Sequence, residues 1–430
     1  MKKMFWFLGI FAFAMIMLFT PNVFATNGYF SHGFGTQSKA LAGAGVAFPL
    51  STLVSATNPA GLVWLGKRYD VNIALFSPNR QYTITGNPSG QGFGLTPGTV
   101  ESDSKYFPVP SLGANWMISP NSSIGLAFYG NGGMNTKYNT KTFDSPMATV
   151  TSPTGIDLSQ MFLNASYSMK FAENQSFGVS VIFGYQRFKA EGLQAFAGLS
   201  SDPNNITNNG YDNASGFGAR IGYLGRIWEP LAIGASYQTK IYMSKMDKYA
   251  GLFAEKGDFD IPANWTAGFS FQATPKWTII GDVQQILYGG VNSLANPMDP
   301  NTLNPQMNPS GFIPLGNDNA AGFGWKDMTI FKFGIQWDGI ENTPLRLGYS
   351  YGSEPIPDTE MMFNILAPAV IEQHITFGGS RKLASGQEIN LSVMYVPAKT
   401  TSGPNTMEIP GQQEIELKMS QWEIELGFGF

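Results

Sequence analysis

The chain has 430 residues, a formal net charge of −4 and no cysteine. Charged residues make up 13% of it, roughly half the share usual in a soluble protein, while Gly (50), Phe (33), Tyr (17) and Trp (9) are abundant. The missing cysteine excludes a disulfide scaffold, thiol catalysis and cysteine-based metal sites, and the slight negative charge gives no footing for a nucleic-acid partner.

Lys2 and Lys3 precede a nearly unbroken apolar run, Met4 to Phe19, which Pro21 ends; Val23-Phe24-Ala25 then offers small or apolar residues to a signal peptidase. Residues 1–25 therefore read as a secretory signal peptide, too short for a lasting anchor. Beyond Thr26 no stretch of about 20 apolar residues could cross a bilayer as a helix. An exported chain poor in charge and rich in aromatics, without spanning helices, fits a membrane barrel; a secreted soluble all-β protein is the alternative.

Residues 26–66 do not alternate in polarity. They hold the small-residue run Ala40 to Ala47 and the turn-forming stretch Ser55-Ala56-Thr57-Asn58-Pro59-Ala60-Gly61. Some 40 residues without a core of their own must pack on something. The lumen of a barrel has room for such a plug, and a periplasmic tail fits the composition equally well.

From residue 67 to 430 the sequence alternates. Phe217, Ala219, Ile221 and Tyr223 oppose Gly218, Arg220 and Gly222; Leu231, Ile233, Ala235 and Tyr237 oppose Ala232, Gly234, Ser236 and Gln238. The same period of two recurs in Phe331 to Asp338 and Glu388 to Tyr395, and it is a strand signal. Six tight turns (Pro120-Asn121, Ala172 to Asn174, Glu229-Pro230, Thr274-Pro275, Glu341 to Thr343, Ala384 to Gly386) alternate with seven long connections. The long ones lie near 78–104, 132–155, 191–212, 248–259, 289–326, 354–369 and 398–412. Thirteen connections join fourteen strands, an even number, with short turns on one side and long loops on the other: an antiparallel membrane-spanning barrel. The last strand ends Trp422, Ile424, Leu426, Phe428, Phe430, whereas Ile415, Leu417 and Met419 have the opposite parity, so a bulge is expected near Ser420-Gln421.

Several stretches carry a family resemblance: Gly43-Ala44-Gly45-Val46, Ala56 to Gly61, Tyr129-Gly130-Asn131-Gly132-Gly133-Met134-Asn135-Thr136, Gly234 to Tyr237, Gly251 to Glu255 and Phe259-Asp260-Ile261-Pro262-Ala263-Asn264. The chain resembles the FadL-type outer-membrane transporters of long-chain fatty acids, in the branch that includes importers of aromatic hydrocarbons. The resemblance implies a fourteen-stranded barrel with an N-terminal hatch, and passive uptake across the outer membrane of a Gram-negative bacterium. It also implies capture of a hydrophobic small molecule, fatty acid or hydrocarbon, in a groove of outer loops three and four. A deeper pocket near the mature N-terminus and a lateral opening at strand three would follow.

Mapped onto this chain, loop three offers Leu193, Phe196 and Leu199, and loop four offers Tyr249, Leu252 and Phe253; exposed apolar clusters mark binding surfaces, although the loops could simply pack on each other. Tyr29, Phe30 and Phe34 would line the deep pocket, and Asn58, Pro59 and Ala60 would hold a hatch turn that shifts. Gly130, Asn131, Gly132 and Gly133 would form the strand-three kink, or an ordinary glycine-rich start to a loop. His32 and His374, far apart in sequence, are expected to be structural; Asp258 and Asp260 belong to a loop-to-strand motif. Neither a cofactor nor a metal is expected, and the partners would be the ligand and outer-membrane lipid around a monomer. A diffusion porin for small solutes is the alternative function; a barrel enzyme lacks a recognisable catalytic group set.

Overall fold

The computed structural model describes residues 27–144, 149–305 and 308–430, so the leader expected at 1–25 lies outside the described residues. A wall strand forms where apolar and polar side chains alternate, because lipid faces one side of the sheet and the lumen the other. Fourteen strands make the wall. They are β1 (Arg68–Thr85), β2 (Phe107–Ser119), β3 (Ser122–Lys137), β4 (Gly155–Ala172), β5 (Gln175–Glu191), β6 (Asp212–Trp228) and β7 (Leu231–Gln238), continuing as β8 (Asn264–Thr274), β9 (Trp277–Ile286), β10 (Met328–Trp337), β11 (Leu345–Gly352), β12 (Gln373–Lys382), β13 (Glu388–Pro404) and β14 (Glu414–Gly429). Each pairs antiparallel with the next, and β1 closes on β14 from Asp70↔Gly429 to Thr85↔Glu414. Two short additions, Gly98–Glu101 on β1 and Tyr242–Met243 on β6, extend the ends that carry the long loops.

The parity read from the sequence holds around the ring. On β10, Phe331, Phe333 and Ile335 are exposed to the surroundings while Lys332 and Gln336 are buried. On β6, Phe217 and Ile221 point outward and Arg220 inward. Lipid cannot hydrogen-bond to a strand, so closing the sheet leaves no unpaired edge in the hydrocarbon. At the short-turn end Phe430 and Tyr69 exchange two backbone bonds (2.8 and 2.9 Å), which ties the last residue to the start of β1.

One expectation fails. Residues Ile415, Leu417 and Met419 face inward on the same unbroken parity as Gln421, Glu423 and Glu425, and β1 pairs with β14 through Ser420 and Gln421 without a shift. The irregularity lies on the other neighbour: β13 slips between Val396 and Lys399, opposite Met419 to Gln421. The reason is axial. The outer third of the lumen is filled by loop side chains and is apolar, so hydrophobic residues there point in.

A lipid-facing charge tests this orientation. Phe333→Arg, on an outward position of β10, should cost about 2–4 kcal/mol if it sits near the bilayer midplane. Denaturant titration of protein folded into vesicles measures it, and a change near zero would mean that Phe333 does not face lipid.

Candidate functional site

Residues 27–66 precede β1 and contact inward-facing groups almost all the way round the wall. Small side chains let the backbone come close. At Gly222 of β6 an added Cβ would lie 2.0 Å from the Asn58 amide oxygen. Asn58 caps the short helical turn Pro59–Trp64: its oxygen accepts from Ala60 N (3.1 Å), and its Nδ2 donates to the carbonyls of Val46 and Tyr223 (2.8 Å each). Ser168, Ser176, Ser236 and Ser270 donate to backbone carbonyls of Ala60, Thr57 and Ala47. Asp282 accepts from Gly45 N and Val46 N, and Asp70 from Thr52 N and its hydroxyl. Asn58, expected in a turn that shifts, is a buried anchor here.

The strongest tie is ionic. Lys39, on the one-turn helix Thr36–Lys39, places its ammonium 2.9 Å from Glu423 and 2.7 Å from Glu425 of β14, all three side chains nearly inaccessible. Burial alone would lower the proton affinity of Lys39, but the two carboxylates overcome it and raise its pKa above the ordinary lysine range. His32 stacks on His374 of β12 at 5.8 Å, so the two histidines, 342 positions apart, meet in the lumen. Burial first, then the positive charge of Lys39, holds the His32 pKa well below its usual value.

The long loops pack down over this floor. Leu193, Phe196, Leu252 and Phe253 line an apolar cavity with about 480 Å³ of space, mouth included. Phe188, Phe323, Phe363 and Leu366 complete most of its wall, with Ser293 the sole polar side chain. Leu199 and Tyr249 are not in the lining. Tyr249 is buried beside Phe188, bonding Gly210 O and Ala190 N and so fastening loop four to loop three. Loop five, opaque in the sequence, contributes Ala321 to Phe323 to the cavity and buries Trp325 beneath it.

An aromatic series leads inward: Phe253 meets Phe259 at 4.8 Å, Phe259 meets Tyr29 at 6.3 Å, and Tyr29 packs on Phe30, Tyr288 and Trp325. Phe34 instead packs edge-on to Tyr129 of β3 at 4.7 Å. Phe30 and Phe34 also border a small polar cavity between the segment and β6, β8, β9 and β10.

Strand β3 bends where its glycines stand. Its pairing with β4 slips between Gly130 and Gly132, leaving Asn131 as the extra residue. Its pairing with β2 ends at Ser111↔Tyr129, and contact with loop one resumes at Ser102↔Tyr138. Between these points β2 carries Pro108 and Pro110, which lack an N–H and suit a strand stretch with no second neighbour. The freed groups of β3 bond to the N-terminal segment: Ser31 N to Asn131 O (2.8 Å) and Gly133 N to Tyr29 O (3.0 Å). A cavity at this parting is lined by Phe34, Val109, Tyr129, Gly130 and the Lys39 ion group.

A closed wall, its inner segment and a parted third strand invite comparison with known proteins. Residues 22–413 match the family of outer membrane protein transport proteins (OMPP1/FadL/TodX). The chain belongs to this family. No curated protein sequence matches it significantly. Its fold is similar to that of the toluene transporter TodX of Pseudomonas putida (17% identity, TM-score 0.67, covering 93% of this chain and 98% of that one). A FadL homologue of Pseudomonas aeruginosa is similar at 14% identity and TM-score 0.66 (94% and 99% covered), and the Ralstonia pickettii toluene transporter TbuX at 16% and 0.62 (93% and 98%). The protein is thus an outer-membrane β-barrel of a Gram-negative bacterium, in a FadL/TodX family of transport channels for hydrophobic compounds.

Two outcomes follow from the charges of this FadL-family member. Lys39→Met leaves Glu423 and Glu425 buried without their cation, so the midpoint of thermal unfolding should fall, with a loss of about 3–5 kcal/mol. Loop four carries a second test. Burial, then the neighbouring Asp260 and Glu255, push the Asp258 carboxyl up to about 7. The folded loop therefore holds a proton that the unfolded chain has released, so its stability is full below about pH 4 and declines as the pH rises to about 7. Protease cleavage within loop four should speed up across that range, and Asp258→Asn should flatten the profile.

Proposed function

We propose that this protein takes up hydrophobic small molecules passively, by capture in the outer cavity, descent past the aromatic series and lateral exit where β2 and β3 part. One observation carries the reading: the outer half of β3 leaves β2 and is covered from inside by residues 29–31, through two backbone bonds and aromatic packing. An unpaired stretch in a lipid-facing wall is costly unless something covers it, so the cover and the gap make one device.

Residues 26–66 act as the hatch in this reading, with unequal roles along their length. Residues 36–60 are pinned by ion pairs and buried hydrogen bonds, and Asn58, Pro59 and Ala60 hold that frame in place. The moving part is residues 27–35, held by aromatic contact, two backbone bonds to β3 and side-chain bonds with Tyr288 and Lys332, and by no ion pair among the described residues. Leu193, Phe196, Leu252 and Phe253 receive the ligand, and each methylene they bury contributes about 0.8 kcal/mol. Leu199 and Tyr249 support that cavity from behind. Tyr29, Phe30 and Phe34 form the gate between the cavity and the parting, which Gly130 to Gly133 create. Transport is driven by the concentration gradient through a single chain, with no catalytic step.

A reversible cross-link tests the gate. Phe34 of the segment packs on Tyr129 of β3 at 4.7 Å, and the chain has no cysteine of its own. The double variant Phe34→Cys with Tyr129→Cys, bridged by a short reducible bis-thiol reagent, should lose most uptake of a radiolabelled hydrophobic probe by a deletion strain, and a reductant should restore it. Undiminished uptake by the bridged protein would remove the lateral route.

A further inference from the structure

A row of buried amides joins the bend of β3 to the outer loops. Asn131, the extra residue of the bulge, donates from Nδ2 to Gln160 Oε1 of β4 at 3.0 Å. Gln160 donates from Nε2 to Gln186 Oε1 of β5 at 3.1 Å, and Gln186 donates from Nε2 to the carbonyl of Phe259 in loop four at 2.7 Å. Asn131 is 2% exposed and both glutamines 0%. A carbonyl only accepts, so Phe259 fixes the sense of every bond in the row, and bonds that point one way polarise each other. At the far end stands an anchor of the gate: the Asn131 carbonyl accepts from Ser31 N at 2.8 Å.

The wall itself does not need this row. Gln160 and Gln186 are cross-strand partners whose backbones are already paired, and apolar side chains at both places would leave that pairing intact. The loop end, by contrast, holds strain. Residues 253–259 run from Phe253, which lines the outer cavity, to Phe259, whose ring packs on Phe253 at 4.8 Å and on Tyr29 at 6.3 Å. Between them Glu255 and Lys256 stand side by side at φ +56° and +60°, a left-handed pair that residues with side chains rarely adopt. Bonds from Lys256 N to Gly316 O and from Asn292 to the Glu255 carboxylate hold the turn in place.

We propose that the amide row couples capture to release, with Gln160 and Gln186 as positioning residues that act through Asn131. This rests on the uptake reading above and adds how the two ends of the route communicate. A ligand entering the outer cavity displaces Phe253, residues 253–259 relax, and the Phe259 carbonyl withdraws from Gln186. The row loses its fixed end, Asn131 turns, and Ser31 gives up its hold on β3. An empty cavity keeps the gate shut; a filled one frees it.

The test places one cysteine, Ser31→Cys, in the otherwise cysteine-free chain and follows its alkylation by iodoacetamide. The Ser31 hydroxyl bonds only within the segment, to Gly33 O, so the backbone bond to Asn131 is spared. In this parent, held in a neutral amphipathic polymer, the apolar probe ethylbenzene should raise the alkylation rate about fivefold, the size of one neutral hydrogen bond lost. Gln160→Leu and Gln186→Met should each alkylate at the raised rate without ethylbenzene and respond to it no further. Combined, they should add nothing, because both cut the same row. Thr376→Val removes an equally buried bond to the frame outside the row and should keep the parent's response. Heat-modifiable migration on a gel identifies the closed barrels. Should a glutamine variant fail to close, Lys256→Gly, exposed and clear of the wall, carries the test: it relieves the strained turn and should shrink the response. An undiminished response in any of these row or turn variants would overturn the coupling. Calorimetry separates that failure from the reading beneath it. Ethylbenzene bound with no change at residue 31 of the parent overturns the coupling alone, and ethylbenzene not bound at all overturns capture with it.

Discussion

Hydrocarbon offers no hydrogen bonds, and this structure is organised around that fact. Every wall strand must find backbone partners on both sides, so the sheet closes on itself from β1 to β14. Closure sorts side chains by parity and turns polar residues inward: Asp70, Asn115, Asn164, Ser176, Asp282, Thr376, Glu423 and Glu425 all face the lumen. Without water beside them these groups need partners, and residues 36–62 supply them. The wall and the segment inside it therefore depend on each other. Removing the segment would expose a ring of polar groups arranged for a backbone that is no longer there.

The segment is held by two kinds of force, and they divide it. From Thr36 to Ala60 the contacts are directional: carboxylates on N–H groups, hydroxyls on carbonyls, an ammonium between two glutamates. Such contacts lose most of their value over a shift of an ångström, which suits a frame and opposes gradual motion. From Tyr29 to Phe34 the contacts are chiefly ring against ring. Rings exchange one apolar neighbour for another at small cost, so an apolar ligand can take the place of a ring here more readily than it could break the ion pairs of the frame.

The barrel was legible in the sequence because period two and the alternation of short and long connections are local signals. Strand positions such as Phe331 to Trp337 and Leu231 to Gln238 needed nothing beyond them. The parity rule failed at Ile415, Leu417 and Met419 because it assumes a lumen of one polarity throughout, and loop packing that no single strand encodes makes the outer third apolar. Leu193, Phe196, Leu252 and Phe253 were readable as apolar residues in loops, but the partners contributed by loops five and six were not. Lys39 was hidden in a small-residue run, with its glutamates almost 400 positions away. His32 with His374 is the same kind of case. Arg220 could have been found: it stands at inward parity opposite Ser180 and Gln238, with no acid across from it, whereas Lys332 has Asp282 as its cross-strand partner on β9.

A polarity profile down the axis follows from these placements, and it bears on the route proposed for the ligand. At the top, inward aliphatic residues and loop phenylalanines make a lumen that water has little reason to enter. At the bottom, the anchored segment fills the bore with satisfied polar bonds, and an apolar molecule has nothing to gain there. Between the two lies the parting of β2 and β3, bordered by Val109, Phe34 and Tyr129 and by the Lys39 ion group. An apolar body descending from the cavity meets its last favourable surface at that gap, and the next one is the lipid outside. On the proposed lateral route, the side exit is then the downhill direction for the ligand.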